Sequence, residues 1–176
     1  EEIVYSYLPQ ETGHQKTIFE AMNYSVRAGG KRLRPLLMRE VYRLFGGQGK
    51  EVEPFMAAIE MIHTSSLIHD DLPCMDDDMM RRGKASTWAE HGEDIGVLTG
   101  DALMMYAFET AANAFETSID PDELSRIGRA MGILARKTGV YGMIGGQTVD
   151  VELAGGPIPG DKLEFIYRLK TGALIE

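Results

Sequence analysis

Between His69 and Gly83 the chain runs His-Asp-Asp-Leu-Pro-Cys-Met-Asp-Asp-Asp-Met-Met-Arg-Arg-Gly, with five carboxylates in nine residues followed by two adjacent arginines. A packed core gains nothing from that arrangement, whereas a metal-assisted polyphosphate site uses all of it. Carboxylate oxygens are preferred ligands of Mg²⁺, which usually bridges one or two carboxylates to substrate phosphates rather than sitting in an all-protein cage. Arginine then offers planar, bidentate, permanently charged donors to the remaining phosphate oxygens.

A solvated acidic loop running into a basic one would be the bland alternative, but no linker separates this cluster from the apolar segment Phe55 to Ile68. Phe55, Ile59, Ile62 and Ser66 have helical spacing, so the segment is expected to be a core helix. Seven residues advance a helix by two turns less ~20°, which sends His63 and Asp70 into the same space. Pro73 disfavours helical geometry at Leu72, so the helix should end near Asp71. Carboxylates there face the negative end of the macrodipole, an arrangement that a bound divalent cation would reverse.

A second segment, Arg27-Ala28-Gly29-Gly30-Lys31-Arg32-Leu33-Arg34-Pro35, concentrates positive charge in a chain whose formal net charge is -9. Such a cluster in an acidic protein points to an anionic ligand. Gly29-Gly30 frees the backbone for close approach or positive φ. Pro35 suits the first turn of a helix marked by Leu36, Leu37, Val41 and Leu44. A turn with a basic rim between two helices would explain this segment alone. With the Asp-rich segment it implies two diphosphates, one held by basic side chains and one through metal.

These residues resemble the short-chain trans-polyprenyl diphosphate synthases, which include farnesyl and geranylgeranyl diphosphate synthases. The resemblance rests on Gly29-Gly30-Lys31-Arg32-Leu33-Arg34-Pro35, Glu60-Met61-Ile62-His63-Thr64, Ser66-Leu67-Ile68-His69-Asp70-Asp71-Leu72-Pro73 and Arg81-Arg82-Gly83-Lys84. It continues through Gly100-Asp101-Ala102-Leu103, Gly145-Gly146-Gln147 with Asp150, and Lys170-Thr171-Gly172-Ala173-Leu174. It implies an all-α, isoprenoid-synthase-type helical bundle around a deep central cavity, forming a homodimer. The implied reaction joins isopentenyl diphosphate to an allylic diphosphate with Mg²⁺ as the metal. A composition 44% hydrophobic, with 11 Met and no sustained period-2 pattern, fits that fold.

Carried over position by position, the resemblance gives Asp70 and Asp76 as the principal Mg²⁺ ligands, with Asp71 supporting; Asp77 and Asp78 are expected to face solvent or the water of the metal cluster rather than to be direct ligands. Arg81 would hold the allylic diphosphate, and Lys31, Arg34, His63 and Arg82 the isopentenyl diphosphate. Lys170 and Thr171 correspond to residues that clamp the allylic diphosphate and screen the developing cation. Gln147 and Asp150 share one helical face, which in the family lines the cavity; a buried polar pair beside a glycine-rich turn is the alternative. Residues four and five positions before the first Asp set product length in the family. Here they are Ser66 and Ser65, small side chains that leave room for another five-carbon unit and favour a geranylgeranyl product, unless a Met or Phe from another helix forms the floor.

The family carries a second aspartate-rich motif after the Lys-Thr pair, and the chain stops at Glu176 without one. Residues 1–176 are therefore expected to be the N-terminal two-thirds of a single synthase domain. Carbocation chemistry needs a dry pocket and charge stabilisation at the leaving group, and no nucleophilic Ser or Cys. Cys74 is the only cysteine, so no disulfide forms within the chain and a reducing cytoplasm is expected. No apolar run reaches the ~20 residues of a membrane span, no signal-type segment opens the sequence, and the acidic balance argues against nucleic acid. Gly155 to Gly160 should separate two helices, and Asp120-Pro121 should start one. A class I terpene cyclase would use the Asp-rich helix end without needing the basic segment. A non-catalytic subunit would be free to lose the Asp residues that this chain keeps.

Overall fold

The computed structural model describes Glu1–Glu176, which fall into two compact units, Glu1–Thr117 and Ser118–Glu176. The first holds helices α1 (Glu2–Ser6), α2 (Lys16–Arg27), α3 (Leu33–Leu44) and α4 (Glu53–Asp70), a short hairpin, then α5 (Thr87–His91) and α6 (Glu93–Ala112). The second holds α7 (Pro121–Thr138), α8 (Met143–Glu152) and α9 (Gly160–Ile166), which runs into a π-helical turn, Tyr167–Thr171. The all-α expectation holds, and no helix is long and apolar enough to cross a membrane.

Helix α4 is the axis of the first unit. Its Phe55, Met56, Ala57, Ala58, Ile59, Met61, Ile62 and Ile68 are all buried. Pro54 sits in its first turn, where a missing N–H costs nothing, and the helix ends at Asp70 with Asp71 as its cap, as Pro73 predicts. Its main partner is α6, whose buried Gly96, Gly100, Leu103, Ala107 and Ala111 follow a helical stripe, small at every position but Leu103. A Cβ on Gly100 would lie 2.1 Å from His69 Nε2, so this stripe lets α6 approach the end of α4 that carries the aspartates.

Helix α3 forms where expected, but Leu36, Leu37, Val41 and Leu44 are exposed and Pro35 is its only buried residue. The hairpin was not expected from the sequence. Met80 pairs with Ala85 and Arg81 with Lys84, joined by Arg82-Gly83 at φ 53° and 79°. Positive φ at both central residues is the type I′ geometry that matches strand twist.

In the second unit, α7 starts as predicted: the Asp120 side chain accepts from the Asp122 N–H at 3.1 Å, and Pro121 follows it. The Gly155–Gly160 stretch separates α8 from α9. Helix α8 lies against the π turn so closely that a Cβ on Gly146 would be 2.3 Å from the Lys170 backbone N.

Candidate active site

The Asp-rich loop folds back on the end of α4. The Asp76 N–H donates to the Asp70 carbonyl at 2.8 Å, Met75 N–H to Leu72 at 2.8 Å, Asp77 N–H to Leu72 at 3.1 Å and Asp78 N–H to Asp71 at 3.1 Å. These bonds bring the backbone of Asp76 against that of Asp70, while Asp76, Asp77 and Asp78 stay exposed. No three His, Cys, Asp or Glu side chains converge on one point.

Asp71 points the other way. It is 2% exposed and takes a fork from Arg81, whose Nε lies 3.0 Å and 3.1 Å from the two carboxylate oxygens while Nη2 also bonds Asp71 Oδ1. Arg81 also reaches Asp78 Oδ2 at 3.4 Å. The bidentate bond to Asp71 raises the Arg81 pKa further and orients the guanidinium before any ligand arrives.

The basic side is built from α3, α4 and the hairpin turn. Lys31 is exposed and Arg34 half-buried, both at the start of α3, while His63 is half-buried on α4. Arg82 Nη1 donates to the Gly29 carbonyl, and a Cβ on Gly30, itself at φ 130°, would lie 2.8 Å from the Arg82 guanidinium. Gly30 therefore leaves room for this close approach, and both glycines take positive φ, 100° at Gly29 and 130° at Gly30. Burial first, and then the charges of Arg34, Arg82, Arg32 and Arg81, push the His63 pKa down to about 4. Burial lowers the Arg34 pKa, against Glu60; burial and then Arg32 lower that of Arg82. Four guanidinium groups thus bear on a neutral imidazole, a field that an anion would relieve.

The remaining expected positions separate by unit. Ser65 is 0% exposed; its Oγ donates to the Ile62 carbonyl at 2.8 Å and lies 4.0 Å from Met104 Sδ of α6. Ser66 is half-buried and bonds back to the His63 carbonyl at 2.8 Å. In the second unit, Lys170 Nζ donates to Asp150 Oδ2 at 2.5 Å, Thr171 is exposed, and Gln147 lies half-buried on α8. Lys170 and Thr171 both belong to the π turn, a distortion that recurs at functional sites.

The polyprenyl synthetase family profile matches residues 15–176. The chain belongs to the polyprenyl synthetase family. Among curated relatives of this polyprenyl synthetase chain, the heterodimeric geranylgeranyl pyrophosphate synthase large subunit 1 of Arabidopsis thaliana is 49% identical over 162 residues, covering 90% of this chain and 43% of that protein. The geranylgeranyl pyrophosphate synthase of Catharanthus roseus is 48% identical over 160 residues, 90% of this chain and 44% of that protein. The chain thus spans less than half the length of these relatives, both named chloroplastic. Among solved structures, the FPP/GFPP synthase of Zymomonas mobilis superposes with a TM-score of 0.88 at 36% identity, covering 98% of this chain and 62% of that one. The geranyltransferase of Legionella pneumophila gives 0.87 at 31%, covering 98% and 61%. The helical isoprenoid-synthase fold implied by the sequence is therefore the fold of this polyprenyl synthetase chain.

Sequence reasoning missed Arg32 and Glu60 as a buried pair, and Met104 as the neighbour of Ser65. A lone Glu60 inside an apolar helix is a signal, since a carboxylate is rarely buried without a partner. Nothing local marks Met104, because its place depends on the register of α6 against α4.

Proposed function

We propose that the protein is a trans-prenyltransferase that condenses isopentenyl diphosphate with an allylic diphosphate (dimethylallyl, geranyl or farnesyl) to give geranylgeranyl or farnesyl diphosphate. The observation that carries this reading is the guanidinium field around His63, two turns along α4 from Asp70, whose carbonyl accepts from the Asp76 N–H of the acidic loop. A diphosphate held without metal belongs at the first, and one held through metal at the second. A terpene cyclase has a single diphosphate substrate and no use for the first site.

Lys31, Arg34, His63 and Arg82 hold the isopentenyl diphosphate, and the neutral His63 can donate or accept a hydrogen bond there at neutral pH. Carboxylates from the end of α4 and from the loop folded back on it suit Mg²⁺, which takes few protein ligands and fills its shell with water and phosphate oxygens. Asp70 and Asp76 would hold the metal. When bound, Mg²⁺ supplies Lewis-acid stabilisation of the departing pyrophosphate. Arg81, held by Asp71, presents its remaining N–H groups to the allylic diphosphate. The allylic C–O bond breaks with its electron pair going to the pyrophosphate, the isopentenyl double bond attacks the resulting carbocation, and the proton released from the isopentenyl unit passes to that pyrophosphate. In the second unit, Lys170 and Thr171 offer an ammonium and a hydroxyl to a phosphate oxygen, with Asp150 holding Lys170 and Gln147 on the same face of α8.

Small Ser65 and Ser66 favour the longer product, with Met104 as the side chain that meets Ser65 from α6. Exposed Leu98 and Met105, seven residues apart on α6, give a homodimer an apolar face to bury. A reducing compartment suits the free, exposed thiol of Cys74, and we take the cytoplasm as that compartment. The test is incubation of the native protein with Mg²⁺, labelled isopentenyl diphosphate and each allylic primer, with products sized after dephosphorylation. Twenty- or fifteen-carbon products support the reading, and no elongation by folded protein overturns it.

A further inference from the structure

The segment Gly29 to Pro35 carries three cations, and the structure divides them into two kinds. Lys31 is exposed and Arg34 half-buried, but Arg32 between them is only 6% exposed. Both terminal nitrogens of its side chain are bonded to the protein. Nη1 donates to Glu60 Oε1 at 2.6 Å, and Nη2 donates to the Val26 carbonyl at 2.5 Å and to Tyr5 Oη at 3.3 Å. Nε lies 3.6 Å from a Glu1 carboxylate oxygen, and the guanidinium carbon sits 5.8 Å from the centre of the Tyr5 ring. A guanidinium buried to this depth and bonded through both terminal nitrogens has little to offer a phosphate, and its Nε, though without a hydrogen-bond partner, is buried as well.

Its backbone is equally telling. Arg32 is in the left-handed region at φ 50° and ψ 34°, unfavourable for a side chain of this size, and it caps the start of α3. Such a conformation persists only where the surroundings over-determine it. Here they do: Glu60, 2% exposed in the middle of α4, has Arg32 as its buried cationic partner, and the ends of α1, α2 and α3 meet on that one guanidinium. Glu60 is three residues from His63, so the pair lies on the same face of α4 as the anion-facing imidazole.

We infer that Arg32 and Glu60 form a buried anchor that positions Lys31 and Arg34 for the isopentenyl diphosphate without touching it. The inference rests on the synthase reading given above. With Arg32 turned inward, Lys31 beside it is left exposed and Arg34, two residues on in the first turn of α3, is half-buried. The bond between Glu60 and Arg32 then ties the loop to the helix that carries His63. Glu60 also offsets the charge of Arg32, which would otherwise stand uncompensated beneath the anion site.

The experiment compares steady-state kinetics of the native protein with Arg32→Lys, Arg32→Met and Glu60→Gln, each alone and in a Lys31→Ala/Arg34→Ala background. Thermal unfolding is recorded for every variant. Arg32→Lys keeps the charge but cannot bond Glu60 and the Val26 carbonyl through two separate nitrogens, and Glu60→Gln keeps the shape, so both provide readouts if Arg32→Met does not fold. A positioning role gives a KM for isopentenyl diphosphate raised at least tenfold in Arg32→Lys. It leaves the KM for the allylic substrate and kcat within threefold, and little further change follows when Lys31 and Arg34 are already gone. An effect of Arg32 that persists undiminished in that background would make Arg32 a direct ligand and overturn the inference. So would an equal rise in both KM values, the mark of general loosening, or an unchanged KM. Binding of inorganic pyrophosphate to the same variants is measured in parallel. If the wild-type protein elongates no primer, the synthase reading fails, and the pyrophosphate affinities alone decide whether the anchor shapes an anion site.

Discussion

Lowering the pH should destabilise this protein through His63 in a way that a variant without that imidazole does not share. Unfolded, the side chain titrates near 6.5; folded, burial and the surrounding arginines bring it to about 4. Between these values the unfolded chain binds more protons than the folded one, so stability rises with pH across the window and is lost as pH falls through it. At 1.36 kcal/mol per pKa unit the full difference corresponds to about 3 kcal/mol, of which about 2 kcal/mol falls between pH 7 and pH 5. The measurement is urea unfolding of wild type and His63→Gln at several pH values from 7 to 4. Wild type should lose about 2 kcal/mol relative to the variant by pH 5, and the difference should level off below about pH 4. Direct titration by NMR should give a midpoint well under 6.5, moving upward when pyrophosphate is added because the anion offsets the guanidinium charges. A pH-independent difference between the two proteins, or a midpoint at or above 6.5 without ligand, would refute the guanidinium field as described.

Three other substitutions probe separate features. Asp71→Asn removes the charged partner of the Arg81 fork and should lower stability by about 1–3 kcal/mol while leaving the Mg²⁺ concentration for half-maximal activity unchanged; a large shift in that concentration would make Asp71 a metal ligand. Gly146→Ala drives a Cβ into the Lys170 backbone, which cannot swing aside as a side chain would, so denaturant unfolding should show a loss of about 1–3 kcal/mol. A change of under about 0.5 kcal/mol would mean that α8 and the π turn separate easily. Ser65→Tyr should shorten the product and Met104→Ala lengthen it in the primer assay; unchanged product length in both would place the floor elsewhere.

The chemistry was legible in the sequence because it is written in local clusters. Five carboxylates ahead of two arginines, and a glycine pair beside basic residues, announce their residue types without any fold. Helix α4 was legible for a similar reason: its apolar run begins with a proline and ends just before another, and the end at Asp70 followed from Pro73. What stayed hidden depends on partners distant in sequence. The type I′ turn at Arg82-Gly83 fixes the direction of Arg82 but spans too few residues to show alternation. Arg32 and Lys31 are adjacent basic residues in the sequence, and only Glu60, 28 residues away, separates their roles. The apolar residues of α3 have helical spacing and yet remain exposed in this chain, since periodicity reports a helix's face and not what covers it. The π turn at Lys170 carries no sequence signal of its own.

The central claim is that one diphosphate is held by basic side chains and another through metal, at two distinct places. Calorimetric titration of the native protein with isopentenyl diphosphate and with a non-reactive allylic thiodiphosphate, each with and without Mg²⁺, tests it most directly. Isopentenyl diphosphate should bind without the metal, lose affinity in Arg34→Ala, and keep it in Asp70→Asn. The allylic analogue should bind only with Mg²⁺ and lose that binding in Asp70→Asn. Equal metal dependence for both ligands, or competition between them for one site, would contradict the account.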